Sequence, residues 1–214
     1  DARTVFIGTG GIVWSDVSED ATPNLWRVLS RGSGAALTVR SVNPSTCPVD
    51  AWLGLSAGSR AAAPSAEGNP RRASWVACPG PAAVENGHVG SWDTYVEATN
   101  RLLFNSRLGT LGDAVHEQGE CISAVGPGAA LGAARSDGTV DRKVPFEPDL
   151  LAEAMTGCAI TLVDVGSMSQ ALQGSNKDKR LATLDRRIGE VLAVVPVMLQ
   201  RILELEEEIS RGFR

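Results

Sequence analysis

No run of about 18 uninterrupted apolar residues occurs in these 214 residues, so no segment is predicted to cross a bilayer as a helix. Positive charge is not in excess: 20 Lys and Arg stand against 25 Asp and Glu, giving a net charge of −5 and a pI near 5.1. With no basic face to neutralise phosphates, a nucleic-acid partner is excluded. Histidine is scarce, only His88 and His116, and none of the four cysteines lies in a CxxC pair, so zinc-ligand spacing is missing. No repeat with a period of about 20–50 residues is visible, which excludes solenoids and propellers.

What is present suits a globular protein. Hydrophobic residues make up 43% and charged residues 21%, which excludes general disorder and permits one sizeable core. The basic residues are 17 Arg and 3 Lys, and Ala and Gly are abundant, a skew that reads as GC-rich coding bias of the actinobacterial kind. Cys47, Cys78, Cys121 and Cys158 are even in number and well separated, as an oxidising compartment would produce. Three pairings are open. The one expected joins sequence neighbours, Cys47–Cys78 and Cys121–Cys158, each closure worth about 3–4 kcal/mol through the unfolded state. The chain opens on Asp1 and not on Met, which suits an exported protein, extracellular or in the cell envelope, relieved of its leader or anchor. The alternative is a domain of a larger cytosolic protein with four buried thiols.

The hydrophobic pattern alternates between strands and helices. Thr4–Gly8 is a β-rich run ending in glycines, and Thr22-Pro23-Asn24 opens a helix that ends at Gly32 or Gly34. A strand is expected over Ala35–Val42, a loop over Asn43–Pro48, and an Ala/Leu/Gly segment to Gly58. Residues 61–90 show no periodicity and read as a surface excursion held by the Cys47–Cys78 bridge. Helices are expected over Tyr95–Leu111 and Leu111–Gln118, a strand over Cys121–Val125, and an Ala-rich helical turn after Gly126-Pro127-Gly128. Ser136–Thr139 reads as a hairpin-like turn, Pro148–Met155 as a helix, Ala159–Val165 as a buried strand, and Arg180–Val195 as an amphipathic helix. Such alternation predicts an α/β fold with a mostly parallel sheet covered by helices on both faces. Residues 1–195 form one domain on this reading. Residues 196–214 form an acidic amphipathic helix, with Met198, Ile202, Leu205 and Ile209 at heptad spacing. Two heptads are short for a coiled coil, so packing on the domain is expected, with self-association through this helix as the alternative.

Three patterns bear on chemistry. Gly54-Leu55-Ser56-Ala57-Gly58 matches the GxSxG elbow of serine hydrolases, with His116 the available base, but the strand before it is weak. Gly8–Val13 and Gly126–Gly132 resemble incomplete dinucleotide fingerprints and read better as tight turns after buried strands. The third pattern is longer. A strand and turn (Val5–Gly11) lead to Trp14-Ser15-Asp16, then to the Thr22-Pro23-Asn24-Leu25 helix and a strand carrying Arg40. Pro44-Ser45-Thr46-Cys47-Pro48 follows, and Thr161-Leu162-Val163-Asp164 with the helix Leu181–Val195 comes later.

This order resembles the alkaline phosphatase superfamily, especially its nucleotide-pyrophosphatase/phosphodiesterase branch, and within it actinobacterial envelope proteins that carry such a domain. The resemblance is discontinuous over Thr4–Val195. It implies an alkaline-phosphatase-like fold incomplete at its C-terminus, Thr46 in the nucleophile's place and Asp164 in that of a metal-binding Asp. The departures weigh more. The family's first metal-binding Asp falls at Gly10 or Thr9, the His expected four residues after Asp164 is Met168, and the later Asp-His-Gly motif does not exist. A threonine hydroxyl without a metal or neighbouring base is inert near neutral pH, and one carboxylate does not hold a divalent cation in water.

The reading is therefore a degenerate, non-catalytic member that binds a protein or glycan partner at the cell envelope, with no cofactor expected. The alternative is a phosphodiester, phosphate or sulfate hydrolase using zinc, manganese or magnesium and Thr46, for which Asp16, Asp50, Asp164, Asp185 and His88 could be recruited. Of the five tryptophans, Trp75 and Trp92 lie in loop-like sequence and are the candidates for a partner-facing surface.

Overall fold

The computed structural model describes residues 3–35, 42–43, 46–64, 78–168 and 176–212, with side chains as far as Val194. The expected strand over Ala35–Val42 falls largely outside the described residues, as does Trp75. Among the described residues, four parallel strands form the central sheet: β1 (Thr4–Gly10), β4 (Ile122–Val125), β5 (Arg142–Val144) and β6 (Ile160–Ser167), in the order β1-β6-β4-β5. A small hairpin, β2 (Val84–Glu85) with β3 (His88–Val89), stands apart.

Successive side chains of a strand point to opposite faces, and the two inner strands are apolar on both. On β6, Leu162 enters one core while Val163 and Val165 enter the other; on β4, Ile122 and Ala124 lie opposite Val125. The first face is covered by α2 (Pro48–Ala57), α3 (Trp92–Asn100), α4 (Thr110–His116) and α5 (Pro127–Ala133), with Leu53, Ala129 and Leu131 fully buried. The second is covered by α6 (Pro148–Gly157) and α7 (Lys177–Gly212), through Leu151, Met155, Leu181, Leu184, Ile188 and Val191, with α1 (Pro23–Arg31) lying on α7. Each such fully buried aliphatic side chain contributes about 1.5–3 kcal/mol relative to exposure. The chain leaves β4 through α5 on the first face and returns from β5 through α6 on the second. Direction and face reverse together, as a single crossover hand requires.

The α/β class, the parallel sheet and the cover on both faces are as the pattern predicts. Both disulfides join sequence neighbours, Cys47–Cys78 and Cys121–Cys158, with Cα separations of 5.4 and 4.9 Å. No described helix is long and apolar enough to cross a membrane.

Other expectations need correction. The helix expected over Tyr95–Leu111 starts earlier, at Trp92, and stops at Asn100; Leu103 beyond it is 93% exposed and Asn105 has φ +52°. The stretch 61–90 is not all surface, because Ala61, Ala62, Ala63 and Val89 are buried. Ser136–Thr139 is a tight turn as expected, closed by the Gly138 amide on the Arg135 carbonyl at 2.8 Å and the Arg135 amide on the Thr139 carbonyl at 2.9 Å; the strand after it, β5, pairs parallel to β4. The Arg180–Val195 helix and the acidic tail form one helix that runs through Pro196.

Candidate functional site

In an open α/β sheet, ligands settle beyond the carboxyl ends of the strands, where neighbouring connections diverge to opposite faces. Here that point lies between β4, which leads to α5 on one face, and β6, which leads to α7 on the other. Asp164 stands there. Its Oδ2 accepts the amide of Gly128 at 2.8 Å and its Oδ1 accepts that of Gly166 at 2.9 Å. The carboxylate thus supplies the acceptor for the first turn of α5 that a ligand's anion supplies in nucleotide-binding folds.

The backbone is shaped to this closure. Gly126 has φ +86°, and a methyl there would press on the Asp164 carbonyl; a methyl on Gly128 would overlap the Asp164 carboxylate and the Trp52 indole. Trp52, on α2, is buried, crosses Phe6 of β1 edge-on at 6.0 Å, and lies against Gly8 and Gly132. Gly8 and Gly10 lie within β1, paired with Asp164 and Ser167 of β6, and not in the turn expected there, Gly8 leaving room for the Trp52 ring; Gly126–Gly128 is the tight turn from β4 into α5, in close approach to Trp52 and Asp164.

Thr46 is exposed one residue before Cys47, the N-cap of α2. Cys47 leads into Pro48, whose Cγ lies 3.8 Å from where a Cβ on Gly10 would stand, so this helix start adjoins the end of β1. Asp50, buried in the first turn of α2, accepts the amides of Cys47 at 3.3 Å and Ala63 at 2.9 Å and the Asn43 side chain at 3.4 Å. It caps its own helix and pins the returning chain.

The remaining candidates are separate. Asp185 of α7 is buried and caps α1 from across the fold, accepting the amides of Asn24 at 3.2 Å and Leu25 at 2.9 Å and the Asn24 side chain at 2.9 Å. Asp16 follows β1 in a 3₁₀ turn (Trp14–Asp16), where it accepts the Val13 amide at 3.1 Å and pairs with Lys177, the first residue of α7, at 2.5 Å. His88 has both ring nitrogens against backbone carbonyls, Nδ1 with Val89 at 2.9 Å and Nε2 with Asp137 at 2.7 Å. Among the described residues, no three acidic, histidine or cysteine side chains converge as a metal site.

The Lys177 ammonium and the Val13 amide hold the Asp16 carboxyl below the usual carboxylate range. A carboxyl that binds its proton less readily folded than unfolded contributes stability that is full above the ordinary value and lost as pH falls through the lowered one. The Tm is expected to fall on acidification below about pH 4. Lys177→Met should flatten that part of the profile and leave the neutral-pH profile shape unchanged; thermal melts across the acid range check it.

The GxSxG segment is the C-terminal end of α2, Gly54–Ala57 with Gly58 as its cap, so what leads into Ser56 is the helix itself and not a strand. Ser56 is fully buried and its Oγ accepts the amide of Gly109 at 2.9 Å, at the start of α4. His116 is in the last turn of α4, roughly 10 Å further along the axis, against Arg135 at 3.0 Å. That is no nucleophile elbow. Trp92 is likewise no partner surface: it is buried, with its indole N–H donated to the Ser136 carbonyl at 3.0 Å.

Among the described residues Trp26 of α1 is 43% accessible and Trp14 more so, at 71%, beside Val13 at 54%. The turn of Trp14 is held by Asp16–Lys177 and by Thr22, whose hydroxyl donates to the Asp16 carbonyl at 3.1 Å and accepts the Ser18 amide at 3.0 Å. The density of Ser and Asp around Trp14 was the available sequence signal for a rigid turn. In comparisons with known proteins, no protein-family model matches the chain, and no curated protein is significantly similar to it.

Proposed function

We propose that the chain is a non-catalytic, phosphatase-like domain of the cell envelope that works by binding a protein or glycan partner. The observation that carries this reading is Asp164: the carboxylate in the place of a metal ligand has both oxygens engaged by amides of its own fold. Asp16, Asp50, Asp185 and His88 each have their own local partners, far from forming one donor set. Two disulfides suit an oxidising compartment, which supports export. Val13 and Trp14, an apolar pair on a latched turn, are the anchor we assign to the partner, since a rigid exposed indole offers contact area at little entropic cost.

The test is turnover of a model phosphodiester with zinc, manganese or magnesium, in the wild type and Thr46→Ala. Neither protein should exceed the metal blank. Metal-dependent turnover lost in Thr46→Ala would establish the alternative, a phosphoric or sulfuric ester hydrolase, for which the exposure of Thr46 beside the end of β1 is the supporting observation.

A further inference from the structure

Between α3 and α4, residues 101–109 form a loop that presents two apolar side chains to the outside. Leu103 is 93% exposed, the most of any large apolar side chain among the described residues, and Phe104 beside it is 36% exposed. Around them Leu102, Ser106 and Leu108 are buried. The loop is held from behind: the Leu102 amide donates to the Thr99 carbonyl at 3.0 Å, and the Ser106 hydroxyl to the Arg60 carbonyl at 2.6 Å. On its far side the Thr110 hydroxyl donates to the Arg107 carbonyl at 2.7 Å. Asn105 takes φ +52°, a conformation that suits its short polar side chain.

An exposed leucine alone is ordinary. The charge around this one is not. The chain carries a net charge of −5, yet between Glu97 and Asp113 its charged residues are Arg101 and Arg107, and between Asp50 and Glu67 the only one is Arg60. The fold brings these two acid-free segments together, with the Arg60 guanidinium 4.7 Å from the centre of the Phe104 ring. Of the three arginines, Arg101 is countered by Glu97 at 3.9 Å.

An apolar tip ringed by arginine is complementary to a surface with negative charge above an apolar layer. We propose that this loop seats the protein on an anionic phospholipid bilayer. Leu103 and Phe104 enter the boundary between headgroups and acyl chains, while Arg60 and Arg107 engage lipid phosphates. The negative potential of such a surface decays within a Debye length, so the arginines gain from it only at contact. Two apolar side chains without a covalent lipid hold reversibly, and the association is peripheral. This surface goes beyond the partner assigned to Val13 and Trp14 and does not depend on it.

The experiment is co-sedimentation of the whole chain with phosphatidylcholine vesicles that contain or lack an equal part of phosphatidylglycerol. Wild type is expected on the anionic vesicles, released from them at about 0.5 M salt, and in solution when phosphatidylcholine is alone. Leu103→Asp and Arg107→Glu should each weaken partitioning by about tenfold. Both side chains are exposed, so near-UV spectra should stay unchanged. Leu103→Phe should bind as wild type does. No binding to anionic vesicles, binding indifferent to Leu103→Asp, or equal binding to uncharged vesicles would overturn the inference. So would lipid-free self-association that Leu103→Asp abolishes, which would give the loop to a second copy of this chain.

Discussion

Replacing Asp164 with alanine is expected to lower stability by about 2–4 kcal/mol, because two amide-to-carboxylate hydrogen bonds are lost at the point where β4 and β6 diverge. Asp164→Asn should cost less, since one oxygen remains to accept while the new amide faces a donor. A residue whose work was to hold a metal would behave the other way, its removal leaving the apo fold little changed. Urea unfolding of the three proteins, with and without a chelator, separates the cases. The loss should be the same under both conditions.

Truncating Trp52 to alanine is expected to cost about 3–5 kcal/mol, a fall in Tm of about 10 °C for a chain of this length. The indole fills the space between β1 and α5, touching Phe6 and approached by Gly8, Gly128 and Gly132. The cavity left by its removal has fixed backbone on several sides and cannot collapse freely. Gly128→Ala tests the same contact from the opposite side: the added methyl should destabilise by about 1–3 kcal/mol through overlap with the ring and with Asp164. Thermal melts measure both.

Elements that announce themselves locally were legible in the sequence. The Pro23 start and Gly32 stop of α1 follow from cap chemistry, and the apolar run of β6 from burial on both faces. The disulfide pairing followed from sequence neighbourhood alone. Other elements carried no such signal. Three residues with two charges, Arg142-Lys143-Val144, have no readable period, yet they suit a short edge strand whose charges discourage further pairing. Asn86-Gly87, with φ +50° and +76°, is the strongest short hairpin signal in the chain, and reading it would have placed β2 and β3.

The candidate site was legible only as residue types. Asp164 stands out as a carboxylate ending a buried strand, but its partner Gly128 lies 36 residues earlier. Asp185 caps a helix start about 160 residues away, a relation no local pattern encodes. Trp92 sits in Gly- and Ser-rich sequence that looks exposed; its burial depends on Ser136, brought beside it by tertiary packing. The break in composition at Pro196 masked the continuity of α7, because charge content changes there while the apolar spacing does not.

The central claim is that the carboxylates of this scaffold hold the fold together and hold no catalytic cation. Elemental analysis of the purified protein, after dialysis against trace zinc, manganese and magnesium, addresses it most directly. The account predicts far less than one ion per chain. Retention of about one or two ions per chain, lost in Asp164→Ala, would contradict it and return Thr46 to the role of nucleophile.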